Sequence, residues 1–569
     1  MRVRNFTVDH LNRTTAEEWM DGATVVNTIS TAYNADGEVT SAGDSYSNYA
    51  FGYDGQGHLA SVDNAGTPGV PDVVLAGQFD GQGDRTSLSA TIAGVKDFLN
   101  SYSYDTLSRL TSIEQQGQTG GNAVNPKTID FGYDGIGDIT QIYRMNSVGM
   151  GPNPQSDPAD TAIGYNSLAQ LTAITPSHNG VNIDPLSWTF DTLDRAATFT
   201  NDDGTATYGY NLDSELTSVS YTGATEPPDE NYSFDPNGNQ DEAGHVVSPA
   251  NQVTNDGTFT YAFDNEGNRT SRTRISSDYA TDHTVTYSWD YRDRLTDVEY
   301  FGNNSVLTKH VHYVYGVFDH LIETDVDPTG GGTYTIITHN IYDLAKPVVT
   351  AEDSTQPVEP GLMISAAGDV VLQTGSSQQV TERVLNGPVT SAYDAFFTAL
   401  AQDDVPSGES YWFLLNNQGS FMDAVDANGN QVDHAVYTAF GELHGETNSA
   451  IPHIAGYAGG MPDTNTGLVN FLHRWYDPTA AVWLSIDPSG FRAGDGNLSR
   501  YVQNNAPNQT DNTGLADRGF WNKTKQALGG IWEIGPWDAW QAGFGADEDA
   551  AVEFSEEYEG QWMQNAARH

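Results

Sequence analysis

The sequence predicts an all-β chain built from hairpins repeated end to end. Three observations carry that expectation. Aromatic residues two positions apart recur through the first 345 residues. An Asp or Asn follows most of these pairs, and a Leu-Thr-x-Val type of run follows in turn. Gly (58) and Tyr (29) are abundant beside many Thr, Ser and Asn, a mixture that favours strands and tight turns over helices.

Each unit has a physical reading. Phe51 and Tyr53, Tyr102 and Tyr104, Phe131 and Tyr133, Tyr208 and Tyr210, and Tyr313 and Tyr315 are two apart, so each pair shares one face of a strand. The following Asp or Asn bonds its own backbone and starts a turn. Gly57, Gly83, Gly137, Gly238 and Gly267 supply positive φ where a turn requires it. The β-branched run is the return strand. Good copies begin at Tyr53, Tyr104, Tyr133, Tyr165 and Tyr210; degraded ones follow Tyr33, Phe79, Phe190, Phe234, Phe263 and Trp289. Irregular spacings of about 20 to 32 residues suit a repeat fold.

Composition excludes several function classes. Seventy-six acidic against 24 basic residues give a net charge of −52, so no nucleic-acid partner is expected, because phosphate binding needs a basic surface. Cys is absent, which removes disulfides and thiolate chemistry. No run of about 18 apolar residues occurs, so no spanning membrane segment is expected, and MRVRNFTVDHLNRTTAEEWM is not a signal peptide. HExxH, GxSxG and Walker motifs are absent. FDPNGN (234–239) and DANGNQVD (426–433) are read as turns, since neither matches an EF-hand loop. His310 and His312 lack a third ligand nearby in sequence and are read as surface or packing residues. No metal and no cofactor are assigned.

Together the units resemble the tyrosine-aspartate (YD) repeats of the Rhs family, which includes bacterial polymorphic toxins, the C component of insecticidal ABC toxin complexes and the animal teneurins. The resemblance implies a hairpin spiral forming a hollow shell over 1–345. An irregular excursion over 346–380 follows, and beyond it Asp394–Gln402 reads as the one short helix before the C-terminus, with Asp394 as its N-cap. Residues 381–515 resemble the Rhs repeat-associated core, although FLLNNQGSFMDAV lacks that region's usual acidic-histidine pair. Secretion or surface display is implied by the resemblance alone.

The closing motif is the most specific stretch. Arg474, Tyr476-Asp477-Pro478, Asp487-Pro488, Gly490, Asn497-Leu498, Arg500-Tyr501, Pro507, Asp511 and Gly514-Leu515 follow the family's order. In shell-forming members this region plugs the shell and cuts the chain after the final leucine. Carried over, Asp487 and Asp511 are the catalytic pair, Arg474 assists, and the scissile bond is Leu515–Ala516. The chemistry suits the residues: paired carboxyls divide base and acid roles, and a guanidinium stabilises developing negative charge. Two departures stand out: Asn512 replaces the proline usual after the second aspartate, and Ser499 replaces a common tyrosine.

Residues 516–569, with five Trp and two helix-like stretches, read as a short, partly helical passenger with no paired catalytic residues. The expected partner is therefore the chain's own C-terminal segment inside the shell. Because the start, VDHLNRTT, falls within a repeat, a shell-completing protein or self-association is also expected. Open alternatives are a non-enzymatic surface adhesion or carbohydrate-binding protein with an inert plug, and a self-associating scaffold.

Overall fold

The computed structural model describes residues 3–153, 157–344, 369–387, 399–515 and 518–519. Among them, twenty strands from Val3–Val8 to Glu230–Asn231 form one antiparallel sheet. Sixteen more, from His245–Val247 to Leu443–Glu446, form a second. Strands pair with their neighbours in the chain; only the short Val181–Asn182 is bypassed, where Leu171–His178 also pairs with Leu186–Phe190. The all-β expectation holds.

The repeat explains itself atom by atom. In each full unit the Asp caps its own turn: Asp54 Oδ1 accepts from the Gln56 and His58 amides at 2.8 and 3.0 Å. Asp105, Asp134 and Asp191 do the same two and four residues on. Where Arg stands at the fourth position it salt-bridges that Asp, and its guanidinium lies over the next hairpin's Tyr. Arg109 sits 4.6 Å from the Tyr133 ring, Arg195 4.5 Å from Tyr210 and Arg294 4.8 Å from Tyr315.

The Tyr of the unit is a hook. Tyr53 Oη donates to the Val39 carbonyl (2.9 Å), and Val39 is the residue paired with Tyr33 of the preceding hairpin. Tyr133 reaches Leu110, the partner of Tyr104. Tyr165 reaches Ile139, the partner of Tyr133. Tyr315 reaches Leu295, the partner of Trp289, and Tyr342 reaches Leu321, the partner of Tyr315. A register shift accompanies each such pairing, beside the bonded carbonyl. Each aromatic thus ties one hairpin to the one before it.

The second sheet lies along the first. One core cluster joins Trp19, Phe51 and Val62 to Phe318, Phe413 and Phe421. Another joins Leu75, Leu88 and Phe98 to Val371 and Leu372. Buried ion pairs bridge the same seam: Asp97–Arg383 is bidentate at 2.7 and 2.8 Å, Arg85–Asp343 spans 2.6 Å, and Lys127 meets Asp403. Buried charges persist only with such partners.

One expectation fails outright. Ala399–Asp404 is a strand paired on both sides, so Ala399–Gln402 is not helical; 394–398 lie outside the described residues. Pairing outweighed the helix propensity of Ala, Leu and Gln. Within 346–380, Asp369–Gly375 joins the second sheet, and 346–368 lie outside the described residues. The passenger calls on 516–569 likewise fall outside them, except that Arg518–Gly519 pairs with Gln509–Thr510. Among the described residues no helix is long and apolar enough to cross a membrane.

Candidate functional site

A small four-stranded sheet, Met461–Asp463, Leu468–Phe471, Arg474–Asp477 and Val482–Trp483, carries the closing motif. Its aromatics anchor it. Phe471, Tyr476, Trp483 and Tyr501 pack with Leu216 and Val219 of the first sheet. Leu468, Trp475 and Leu484 pack with Tyr287, Val298 and Tyr313 of the second. Arg269 reaches across to Asp477 at 2.6 Å, both buried.

Arg474 is the hub of the site. It is 4% exposed, and its guanidinium lies 4.0 Å from the Trp483 ring centre. One nitrogen, Nη2, binds Asp487 Oδ2 at 2.9 Å and Asp511 Oδ2 at 2.8 Å. The two predicted carboxylates therefore meet on a single donor, both buried. Nε donates to the Gly514 carbonyl at 2.5 Å.

Asp511 holds the turn that presents Leu515. Its Oδ1 accepts from the Gly514 amide (2.8 Å), the Leu515 amide (3.0 Å) and Thr513 Oγ1 (3.3 Å). Gly514 has φ of 75°, and a Cβ there would lie 2.8 Å from the Phe471 carbonyl oxygen, so no other residue fits unstrained. Asp487 is less fully engaged. Its Oδ1 accepts from the Ser489 amide (2.8 Å) and from the Ser489 hydroxyl. That hydroxyl also lies 3.3 Å from the Leu515 carbonyl oxygen, so it has a choice of acceptors for its one proton.

Arg474, Asp487, Asp511 and Leu515 thus come together, while Ala516 lies outside the described residues. Sequence reasoning missed Ser489 and His473. Ser489 could have been found from its place two residues after Asp487, where a hydroxyl bonds back to a turn-forming Asp. The His473 amide donates to the Thr513 carbonyl, and burial pushes its imidazole below the usual histidine range. Elsewhere, His310 and His312 share Asp297 Oδ1 at 2.9 and 2.8 Å across two strands. Asp235 and Asp426 each accept from amides two and four residues on in their own turns.

A family model described as Teneurin YD-shell matches residues 392–503. Human Teneurin-4 is 32% identical over 99 residues, which cover 17% of this chain and 4% of that protein. The tRNA3(Ser)-specific nuclease WapA of Bacillus spizizenii is 25% identical over 250 residues, 43% of this chain and 8% of that protein. The crystal structure of TcdB2-TccC3 superposes on 90% of this chain with a TM-score of 0.63, at 16% identity, and covers 27% of the solved chain. The chain has the YD-shell fold. This YD shell shares its fold with the solved TcdB2-TccC3 chain, and it spans about a quarter of that chain and a twenty-fifth of the teneurin.

Proposed function

We propose that this YD shell encloses its own C-terminal segment and releases it by a single cut after Leu515. In that reading 1–345 form the wall, 346–380 an excursion, 381–515 the core and plug, and 516–569 the passenger. The observation that carries the reading is the meeting of Asp487 and Asp511 on one nitrogen of Arg474, beside the Leu515 carbonyl. Asp487 takes a proton from a water whose oxygen attacks the Leu515 carbonyl carbon. The C–N bond to Ala516 breaks, and Asp487 returns the proton to the departing nitrogen. Asp511 and Arg474 are positioning residues that fix the turn and neutralise local charge. Ser489 Oγ polarises the carbonyl.

The TcdB2-TccC3 likeness supports a second chain that completes the enclosure, since this chain corresponds to about a quarter of that one. The inert-plug reading has its own support: both carboxylates accept from backbone amides, as turn caps do. Four purified chains decide between them by intact mass. Wild type is expected cut after Leu515, Asp487→Asn intact, Asp511→Asn slowed at least a hundredfold, and Ser489→Ala slowed about tenfold. A cut at full rate in Asp487→Asn overturns the assignment. An uncut wild type leaves the plug inert.

A further inference from the structure

A second cluster lies away from the plug, where the first sheet meets the second. Asp184 precedes the strand Leu186–Phe190, and Asp203 sits in the turn before Thr205–Tyr210. Asp423 lies on Phe421–Val425 and His434 on Gln431–Tyr437. Ligand-type atoms of Asp184, Asp423 and His434 all lie within 4.8 Å of one another.

The bonding around His434 is polarised. Nε2 faces Asp203 Oδ2 at 2.7 Å, while Nδ1 faces Asp423 Oδ1 at 2.8 Å and Asp184 Oδ2 at 4.0 Å. A carboxylate behind one ring nitrogen is the usual device for presenting the other to a metal. Gln431 Nε2 donates to Asp423 Oδ1 (2.6 Å), and the Asp202 amide donates to Asp184 Oδ1 (2.8 Å), so both acids are oriented by second partners. The independent sign is Asp184 Oδ2. This side chain is 98% buried, its oxygen has no hydrogen-bond partner, and it points into the cluster. A buried, unsatisfied carboxylate oxygen is costly unless a cation meets it. Ligand atoms around zinc, each about 2.0–2.2 Å from the ion, lie roughly 3–3.5 Å apart, a range that the Nδ1–Oδ1 and Nδ1–Oδ2 spacings here, 2.8 and 4.0 Å, bracket. Asp203, the partner of His434 Nε2, also lines a cavity with Glu226, Trp188, Asn201, Tyr208 and Tyr221.

We infer that Asp184, Asp423 and His434 form a divalent transition-metal site, with Asp203 orienting the imidazole and the ion stapling the first sheet to the second. One imidazole nitrogen among carboxylate oxygens selects a zinc-like ion over calcium, which takes six to eight oxygens. Sequence spacing gives no hint of it, because the ligands are scattered over both sheets.

The test uses the full chain, stripped with chelator and titrated with Zn2+, with bound zinc counted after gel filtration. Wild type is expected to retain zinc and to melt at a higher temperature with it, while Ca2+ gives no such rise. Asp184→Asn, which keeps the shape, should hold one zinc fewer per chain and bind at that site at least tenfold more weakly. Should that variant misfold, Co2+ on wild type decides: intense visible d–d bands abolished by Zn2+ are expected, and their absence contradicts the site. Zinc not retained by wild type, an unchanged count in folded Asp184→Asn, or an equal rise with Ca2+ would overturn the inference.

Discussion

Tyr315→Phe isolates the hook that links the hairpins. The Tyr315 hydroxyl donates to the Leu295 carbonyl at 2.8 Å and accepts from Trp475 Nε1 at 2.7 Å, in a fully buried setting. Tyr315 is 4% exposed and Trp475 2%. Removing one oxygen therefore breaks two bonds and strands a buried indole N–H. The orphaned N–H costs about 1–3 kcal/mol and the lost carbonyl bond about 0.5–1.5 kcal/mol, together roughly 2–4 kcal/mol. Tyr53→Phe is the control. It removes the equivalent bond to Val39, but at a half-buried site where water replaces it, so it should cost about 0.5–1 kcal/mol. Urea unfolding followed by tryptophan fluorescence reads the difference. Because Trp475 adjoins Arg474, slower cleavage should accompany the loss. Equal midpoints for the two variants would refute the reading of Tyr315 as a joint between wall and plug.

Three further outcomes are expected. Asp97→Asn leaves the Arg383 guanidinium buried without its bidentate partner and should destabilise by about 3–5 kcal/mol in denaturant, with Arg383→Met added to it recovering part of the loss. Burial pushes the Glu382 carboxyl up to about 8; the Gln402 hydrogen bond opposes this, and Asp404 and Asp403 add to it. The folded state therefore holds that proton more tightly than the unfolded chain, and the stability it contributes is full below about pH 4.5 and lost as pH rises through 8. Glu382→Gln should accordingly raise the melting temperature at pH 8 and leave it unchanged at pH 4. Gly514→Ala, with φ of 75° and a Cβ 2.9 Å from the Arg474 amide nitrogen, should cost more than about 1 kcal/mol by thermal unfolding and abolish the cut.

The hairpins were legible because their signals are local. Ring pairs two apart and an Asp bonding two and four residues on need only neighbouring sequence. The trio Arg474, Asp487 and Asp511 was legible through the order of its motif. The hook was not: Tyr133 bonds a carbonyl 23 residues upstream, and nothing at Tyr133 names Leu110. Asp97 and Arg383, 286 residues apart, are likewise invisible as a pair. The misread helix at Asp394–Gln402 has the same origin, since Ala399–Asp404 takes its form from strands on both sides rather than from its own propensities.

Size-exclusion chromatography of the freshly purified wild-type chain, with intact masses taken across the peak, tests enclosure and cutting at once. The 61.5 kDa chain should elute as one species that resolves by mass into two pieces, the smaller beginning at Ala516. A single uncut mass, or a small fragment that elutes on its own, would contradict the account.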